Sequence, residues 1–318
     1  MDKTPLFLEP ALHEKIWGGS RLRDVFGYTI PSETTGECWG ISAHPNGPAV
    51  IKNGTLSGKT LADAWASNRE LFDNYSGDDF PLLTKILDAR TDLSVQVHPD
   101  DAYAQTHEHV PFGKTECWYI IDCDEDSEIV YGHTAQTREE FKQDVAEKKW
   151  DSLLRRVKVK PGDFFYVPSG TIHAICGGCL ILETQQSSDT TYRVYDYDRP
   201  GSDGKPRELH IQQSIDVANC PHVDPSLTYH VRQEAEAKFT ELLREHLFTV
   251  SHWDVRGRTE PIQKNWPFLL MSVLDGKGTL QIEGTRYDLK KGDHLVVPAA
   301  VQTLQLLGTM DLIVSNPV

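Results

Sequence analysis

Four side chains in this sequence have the types and spacing to grip a metal ion. Leu93-Ser-Val-Gln-Val-His98 alternates apolar and polar residues, so a strand here places Ser94, Gln96 and His98 on one face. Lys114 and Glu116 share that parity at the head of the next β-rich run, Glu116-Cys-Trp-Tyr-Ile-Ile121. Further on, Gly162-x5-Pro168-x-Gly170-x2-His173 reads as a turn feeding a strand, a Pro-Ser-Gly reversal, and a histidine presented just beyond. Two imidazoles, a carboxylate and an amide oxygen on neighbouring strands make a coherent donor set. Neutral imidazole and carboxylate suit zinc, and three such ligands leave a position open for water or substrate. Iron and manganese accept the same donors, so ligand type leaves the metal open.

The elements that must hold these groups are mostly β. Short runs recur between Gly, Pro and Asp punctuation: 80–87, 93–98, 116–121, 129–132, 157–159, 164–167, 179–185 and 191–195. Strands at such spacing suggest a sandwich or barrel. Helices are few. Thr60-Leu-Ala-Asp63 and Thr137-Arg-Glu-Glu140 look like capping boxes opening helices through Phe72 and Leu154, and further helices are expected over 209–217 and 234–246. Lys160-Pro-Gly-Asp-Phe-Phe-Tyr-Val-Pro168 reappears as Lys290-Lys-Gly-Asp-His-Leu-Val-Val-Pro298, which implies two related β modules. The expected division is 1–220 for the metal-binding module, 221–234 for a linker and 235–318 for the second copy. His173 corresponds to Thr303 in that copy, so the second module is expected to lack the metal and to serve a structural role.

The chain is similar to the cupins and, within them, to the type I mannose-6-phosphate isomerases in their short bacterial form. The residues that carry the resemblance are Gln96-x-His98-Pro-Asp, Gly113-Lys-Thr-Glu-Cys-Trp-Tyr119, Pro168-Ser-Gly-Thr-Ile-His-Ala174, Ile16-Trp-Gly-Gly19, Thr35-Gly-Glu-Cys-Trp39, Glu183-Thr-Gln-Gln186 and Thr190-Thr-Tyr-Arg-Val-Tyr-Asp-Tyr-Asp198. It departs from the generic cupin in three ways. Gln96 takes the place of the first histidine, Gly177 that of the closing asparagine, and about seventeen residues separate His98 from Glu116. The resemblance implies a mainly β fold, a cupin (jelly-roll β-barrel) with a few helices and a second degenerate cupin-like module. It implies one Zn2+ per chain on Gln96, His98, Glu116 and His173, with Gln96 the weakest donor. It places the catalytic arginine on Arg193, with Lys114 beside it, and substrate contacts on Lys85, Ser94, Glu183 and Asp189. The activity implied is interconversion of mannose 6-phosphate and fructose 6-phosphate through a cis-enediolate, where a Lewis acid and a fixed guanidinium would steady charge building on oxygen. The proton-shuttling base stays open among Glu183, Lys114, a zinc-bound water and a nearby histidine. Taken by itself, Lys85 in an apolar strand fits a snorkelling edge lysine as well as a phosphate ligand, and Trp17 and Trp39 fit packing roles.

Composition narrows the partners. The 318-residue chain carries 47 acidic and 32 basic side chains, a net −15 that disfavours nucleic acid and anionic membranes as partners but not a small phosphorylated sugar. No apolar run is long enough to span a bilayer. The scattered six cysteines are no disulfide framework, with Cys176-Gly-Gly-Cys179 expected as a hairpin, so a reduced, cytoplasmic protein is expected. A sugar-phosphate sensor would lose the ligands or Arg193, and an iron-dependent cupin oxidoreductase would prefer two histidines where Gln96 and His98 stand. A sister specificity for glucose 6-phosphate differs only in how the C2 hydroxyl is held.

Overall fold

Buried Val95 and Val97 flank half-buried Gln96 in the strand Val95–Val97, so the period-two pattern turns one face into a core and the other into a cavity wall. The structure, a computed structural model, describes residues 2–201 and 203–318. Val95–Val97 belongs to a five-stranded antiparallel sheet ordered Tyr192–Tyr195, Val95–Val97, His173–Ile175, Glu128–His133, Leu154–Lys158. A six-stranded sheet runs Phe164–Val167, Glu116–Cys123, Cys179–Gln186, Leu82–Ala89, Thr35–Ile41, Ala11–Gly19. Its inner strands Leu82–Ala89 and Cys179–Gln186 are buried along their whole length. The two sheets share no hydrogen-bonded edge, so the expected closed barrel is instead a pair of open sheets.

The third sheet repeats the second. Its path is His230–Gln233, Ala237–Arg244, Phe248–Arg258, Thr303–Pro317, Leu269–Ile282, His294–Val297, and then Leu6–Glu9 and Val50–Ile51 from the start of the chain. Read backwards from His294–Val297, its first six strands follow the same chain order as the six-stranded sheet. The repeated turns match in detail. Gly162 and Gly292 have φ of 90° and 86°, the left-handed conformation that glycine adopts without strain. The Asp163 and Asp293 carboxylates accept from the Lys160 and Lys290 amides at 3.0 and 2.9 Å.

Helices form where caps are written. Thr60 and Asp63 close a capping box on Leu61–Ser67, Thr137 caps Arg138–Ala146, and Ile211–Val217 falls inside the segment expected to be helical. The helix expected over 234–246 is instead the strand Ala237–Arg244, because buried Ala237 and Phe239 alternate with exposed Lys238 and the neighbouring Phe248–Arg258 supplies backbone partners. Within the expected linker, His230–Gln233 pairs with that strand. Cys176 and Cys179 flank the Gly177-Gly178 turn as free thiols. Among the described residues, no helix is long and apolar enough to cross a membrane.

His294 and Gly40 lock the two modules together. The His294 ring is fully buried, with Ser272 Oγ at 2.8 Å from Nδ1 and Tyr28 Oη at 3.0 Å from Nε2. Tyr28 gives its own proton to the Gly292 carbonyl at 2.7 Å, so Nε2 donates to Tyr28 and Nδ1 accepts from Ser272. Burial pushes the ring pKa down to about 3, and it stays neutral. The ring sits so close to Gly40 that a Cβ there would lie 2.4 Å from it. Gly40→Ala should therefore destabilise the protein by about 1–3 kcal/mol through overpacking, read as a lower denaturant midpoint. An unchanged midpoint would show that the seam can yield.

Candidate functional site

Glu116 begins its strand in the six-stranded sheet, while His173 begins the central strand of the five-stranded one and His98 directly follows the neighbouring strand Val95–Val97, so the cluster forms only where the two sheets meet. Gln96 pairs with His173 on one side and Arg193 on the other. The ligand atoms of His98, Glu116 and His173 lie within 4.8 Å of one another. His98 Nε2 stands 3.4 Å from Glu116 Oε2, and His173 Nε2 stands 3.3 Å from Oε1. None of the three is more than 1% exposed.

Each imidazole is oriented by its back nitrogen. His98 Nδ1 donates to the Thr190 carbonyl and His173 Nδ1 to the Thr171 carbonyl, both at 2.8 Å. Both Nε2 atoms are thereby left with lone pairs aimed at the carboxylate, the tautomer a metal ligand requires. His173 Nε2 is buried without a hydrogen-bond partner, an arrangement that is costly unless a cation completes it. The donor set therefore fits a divalent metal. Burial pushes the His98 pKa down to about 3, with Lys114 adding to the shift. Burial pushes Glu116 up, but Lys114, His98 and His173 outweigh it and hold the carboxyl well below its usual range. The Lys114 ammonium contacts Glu116 Oε2 and lies 2.9 Å from His98 Nε2.

A cavity of about 330 Å³ opens beside this cluster. Its walls include Lys85, Ser94, Gln96, Lys114, Glu183, Asp189 and Arg193, so the structure brings every sequence-selected residue either to the cavity or to the cluster beneath it. Lys85 is not an edge residue: its strand lies between two others, and its side chain is buried with Nζ 3.6 Å from Glu183 Oε1 and 4.7 Å above the Trp39 ring. Ser94 reaches the cavity from the other sheet and not from a strand next to Lys85. Glu183 accepts from Trp118 Nε1 at 3.0 Å, and the same indole nitrogen lies 3.1 Å from Glu116 Oε1. Burial raises the Glu183 pKa, and Glu116 adds to it against Lys114 and Lys85. Arg193 donates through Nη1 to the Glu208 carbonyl at 2.7 Å, while its buried Nε has no partner. Asp189 sits at the rim, held by Asn46 and 3.6 Å from His44 Nε2.

Other wall residues went unselected. Glu37 accepts from Trp39 Nε1 at 2.6 Å and pairs with Lys15 at 3.3 Å. With Trp17 and Trp39 these residues line the cavity, so the tryptophans do more than pack. Lys15 and Trp17, and likewise Glu37 and Trp39, keep common parity, which was the available signal; nothing in the spacing tied the two pairs to each other. Arg207 also reaches the wall, held by Asp196 at 2.6 Å.

Comparison with known proteins agrees with this geometry. A model of the phosphomannose isomerase type I catalytic domain matches residues 6–134, and one of the mannose-6-phosphate isomerase cupin domain matches residues 238–317. Mannose-6-phosphate isomerase ManA of Bacillus subtilis (strain 168) is 52% identical over 316 residues, spanning 99% of this chain and 100% of that protein. Mannose-6-phosphate isomerase of Streptococcus mutans is 53% identical over 318 residues, with 98% of each covered. The crystal structure of mannose 6-phosphate isomerase from Bacillus subtilis superposes with a TM-score of 0.96 at 51% identity, covering 98% of this chain and 99% of that one.

The buried Glu37 carboxylate gives the site a pH signature. Burial pushes its pKa up, but Lys85 and Lys15 outweigh that and bring it down to about 2. A depressed folded pKa contributes stability that is present above the unfolded value and lost as pH falls through the folded one. Glu37→Gln should lower the thermal midpoint at neutral pH and flatten its fall between about pH 4.5 and 2. An unaltered slope in that window would refute the assignment.

Proposed function

The chain belongs to the type I phosphomannose isomerases and interconverts mannose 6-phosphate and fructose 6-phosphate, and on that premise we propose how its own residues do so. His98, Glu116 and His173 would hold one Zn2+, with the Gln96 amide oxygen available at the same wall. The observation that carries this reading is the buried, unpartnered Nε2 of His173 facing a carboxylate whose other oxygen faces His98. Two imidazole nitrogens and a carboxylate are a donor set that zinc accepts while keeping a position open. The metal would supply Lewis-acid polarisation of the sugar's carbonyl oxygen.

The remaining work falls to the protein. Isomerisation removes the proton from C2 of the opened aldose and returns it to C1 through a cis-enediolate, so one group must accept and then donate. Glu183 is suited to it: Trp118 and Lys85 fix its two oxygens, it lines the cavity, and burial keeps its proton affinity above that of an ordinary carboxylate. Arg193 presents a guanidinium whose Nε is unpartnered, a fixed donor for oxygen that becomes negative in the enediolate. Lys114 adds a second buried cation at the Glu116 end, and burial, which alone would lower its pKa, is outweighed by Glu116 and Glu183 so that it stays charged. Lys85 and Ser94 offer donors to the phosphate, and Asp189 at the rim accepts from a sugar hydroxyl.

The test begins with protein stripped by chelator, reloaded with single metals and supplied with mannose 6-phosphate. Zinc should restore fructose 6-phosphate formation; absence of turnover with every divalent metal would sink the reading. His173→Ala should lose bound metal and activity together, by elemental analysis and rate. Arg193→Ala and Glu183→Gln should keep the metal and lose about 10²-fold or more in kcat. In deuterated water Glu183→Gln should also lose solvent-derived label at C1 of the ketose, and label at the native rate would remove Glu183 from the proton path.

A further inference from the structure

The second module keeps a cavity where the first keeps its active site, and strand registers allow the two to be compared residue by residue. Val297, which repeats Val167, pairs with Leu269 as Val167 pairs with Glu116. Leu269 therefore stands in the carboxylate's place. Thr303 pairs with Gln263 as His173 pairs with Gln96, and Asn265 follows Gln263 as His98 follows Gln96. Further across the sheet, Val314 pairs with Ser251 as Glu183 pairs with Lys85, and Phe239 with Trp253 as Glu37 pairs with Leu87. Four charged residues of the first module, Glu116, Glu183, Lys85 and Glu37, thus have the neutral counterparts Leu269, Val314, Ser251 and Phe239.

The cavity itself persists, at about 450 Å³. A module retained for packing alone would fill such a space with apolar side chains, since interiors close-pack. Here the walls set Gln263, Asn265 and Ser251 among the rings of Phe239, Trp253 and Trp266. Thr303 Oγ1 donates to Gln263 Oε1 at 3.0 Å, which leaves the amide nitrogen to donate elsewhere. The two arginines at the walls are already matched. Arg232 pairs with Glu234 at 2.8 Å and lies 4.1 Å over the Phe239 ring, and Arg244 pairs with Glu241 at 2.5 Å. With both arginines matched, the cavity has no unmatched cation to attract a phosphate. Its wall sets the mostly buried rings of Trp253 and Trp266, and a Phe239 ring already covered by Arg232, beside neutral donors and acceptors. Among these is Trp266 Nε1, which has no partner. A pyranose ring presents the complement, an apolar C–H face edged by hydroxyls.

We propose that the C-terminal module binds a neutral hexopyranose in this cavity, a second sugar site apart from the metal-centred one. The probes are methyl α-D-mannopyranoside and methyl α-D-glucopyranoside, which cannot open and so cannot be isomerised. Saturation-transfer NMR on the full chain should show transfer to at least one glycoside while saturating fructose 6-phosphate fills the first cavity. Ser251→Trp, which fills the second cavity at the position equivalent to Lys85, should abolish that transfer and leave mannose 6-phosphate turnover unchanged. Asn265→Ala, at an exposed wall position that folding tolerates, should weaken binding several-fold with the same retention of turnover. The proposal is overturned by absence of transfer to both glycosides, by its disappearance when fructose 6-phosphate is added, or by transfer undiminished in both variants.

Discussion

A fully buried carboxylate governs the catalytic half of this molecule. Glu116 has no exposed surface, and an ion in such a place is costly unless charges and donors surround it. His98, His173, Lys114 and Trp118 do so, and they come from two sheets that share no edge. The sheets must therefore meet at one fixed separation and stagger, which explains why the five-stranded sheet turns the Gln96–His173 pair toward the start of the Glu116 strand. The backbone carbonyls of Thr190 and Thr171 fix the two rings, so loops at that end of the sandwich are tied to the site's geometry.

From Glu116 the charges continue along the wall. Trp118 bridges Glu116 to Glu183, Glu183 neighbours Lys85, and Glu37 lies between the influence of Lys85 and the ion pair to Lys15. The second module uses the same strand order and the same Gly-Asp turn with Phe239, Leu269, Ser251 and Val314 in the corresponding places. The backbone plan is thus indifferent to what the cavity does. Turn chemistry and strand order specify the fold, while inward-facing residues specify whether the equivalent wall positions carry buried charges or neutral side chains.

Much of this was legible in the sequence because its signals are local or repeated. Alternation placed Ser94, Gln96 and His98 on one face, and the duplicated Lys-x-Gly-Asp-x4-Pro run exposed the second module. The resemblance to a known family supplied what spacing could not, the selection of Arg193 and Glu183, both of which line the cavity. What stayed hidden depended on tertiary partners. Lys85 reads as an edge lysine until its two flanking strands are known. The segment 234–246 carries residues acceptable in a helix, and only the adjacent strand Phe248–Arg258 decides against one. The meeting of Leu6–Glu9 with His294–Val297 spans almost the whole chain and leaves no local trace. The same holds for the approach of His294 to Gly40.

The net charge of −15 acquires a different meaning once the cavity is known. Surface carboxylates are screened over about 8 Å at physiological ionic strength, whereas groups in a cavity walled by protein act on one another and on a ligand with little screening. Most cations of the wall have internal partners: Lys15 has Glu37, Lys85 has Glu183, Lys114 has Glu116, and Arg207 has Asp196. Arg193 is different. Its contact is a neutral carbonyl, its Nε is unpartnered, and burial together with Arg207 pushes its pKa down, the direction expected of a guanidinium short of counter-charge. An anion brought into the cavity meets that deficit first. The surplus of carboxylates over the whole chain and the unmatched guanidinium in the cavity are therefore separate matters, and only the second bears directly on a ligand held inside it.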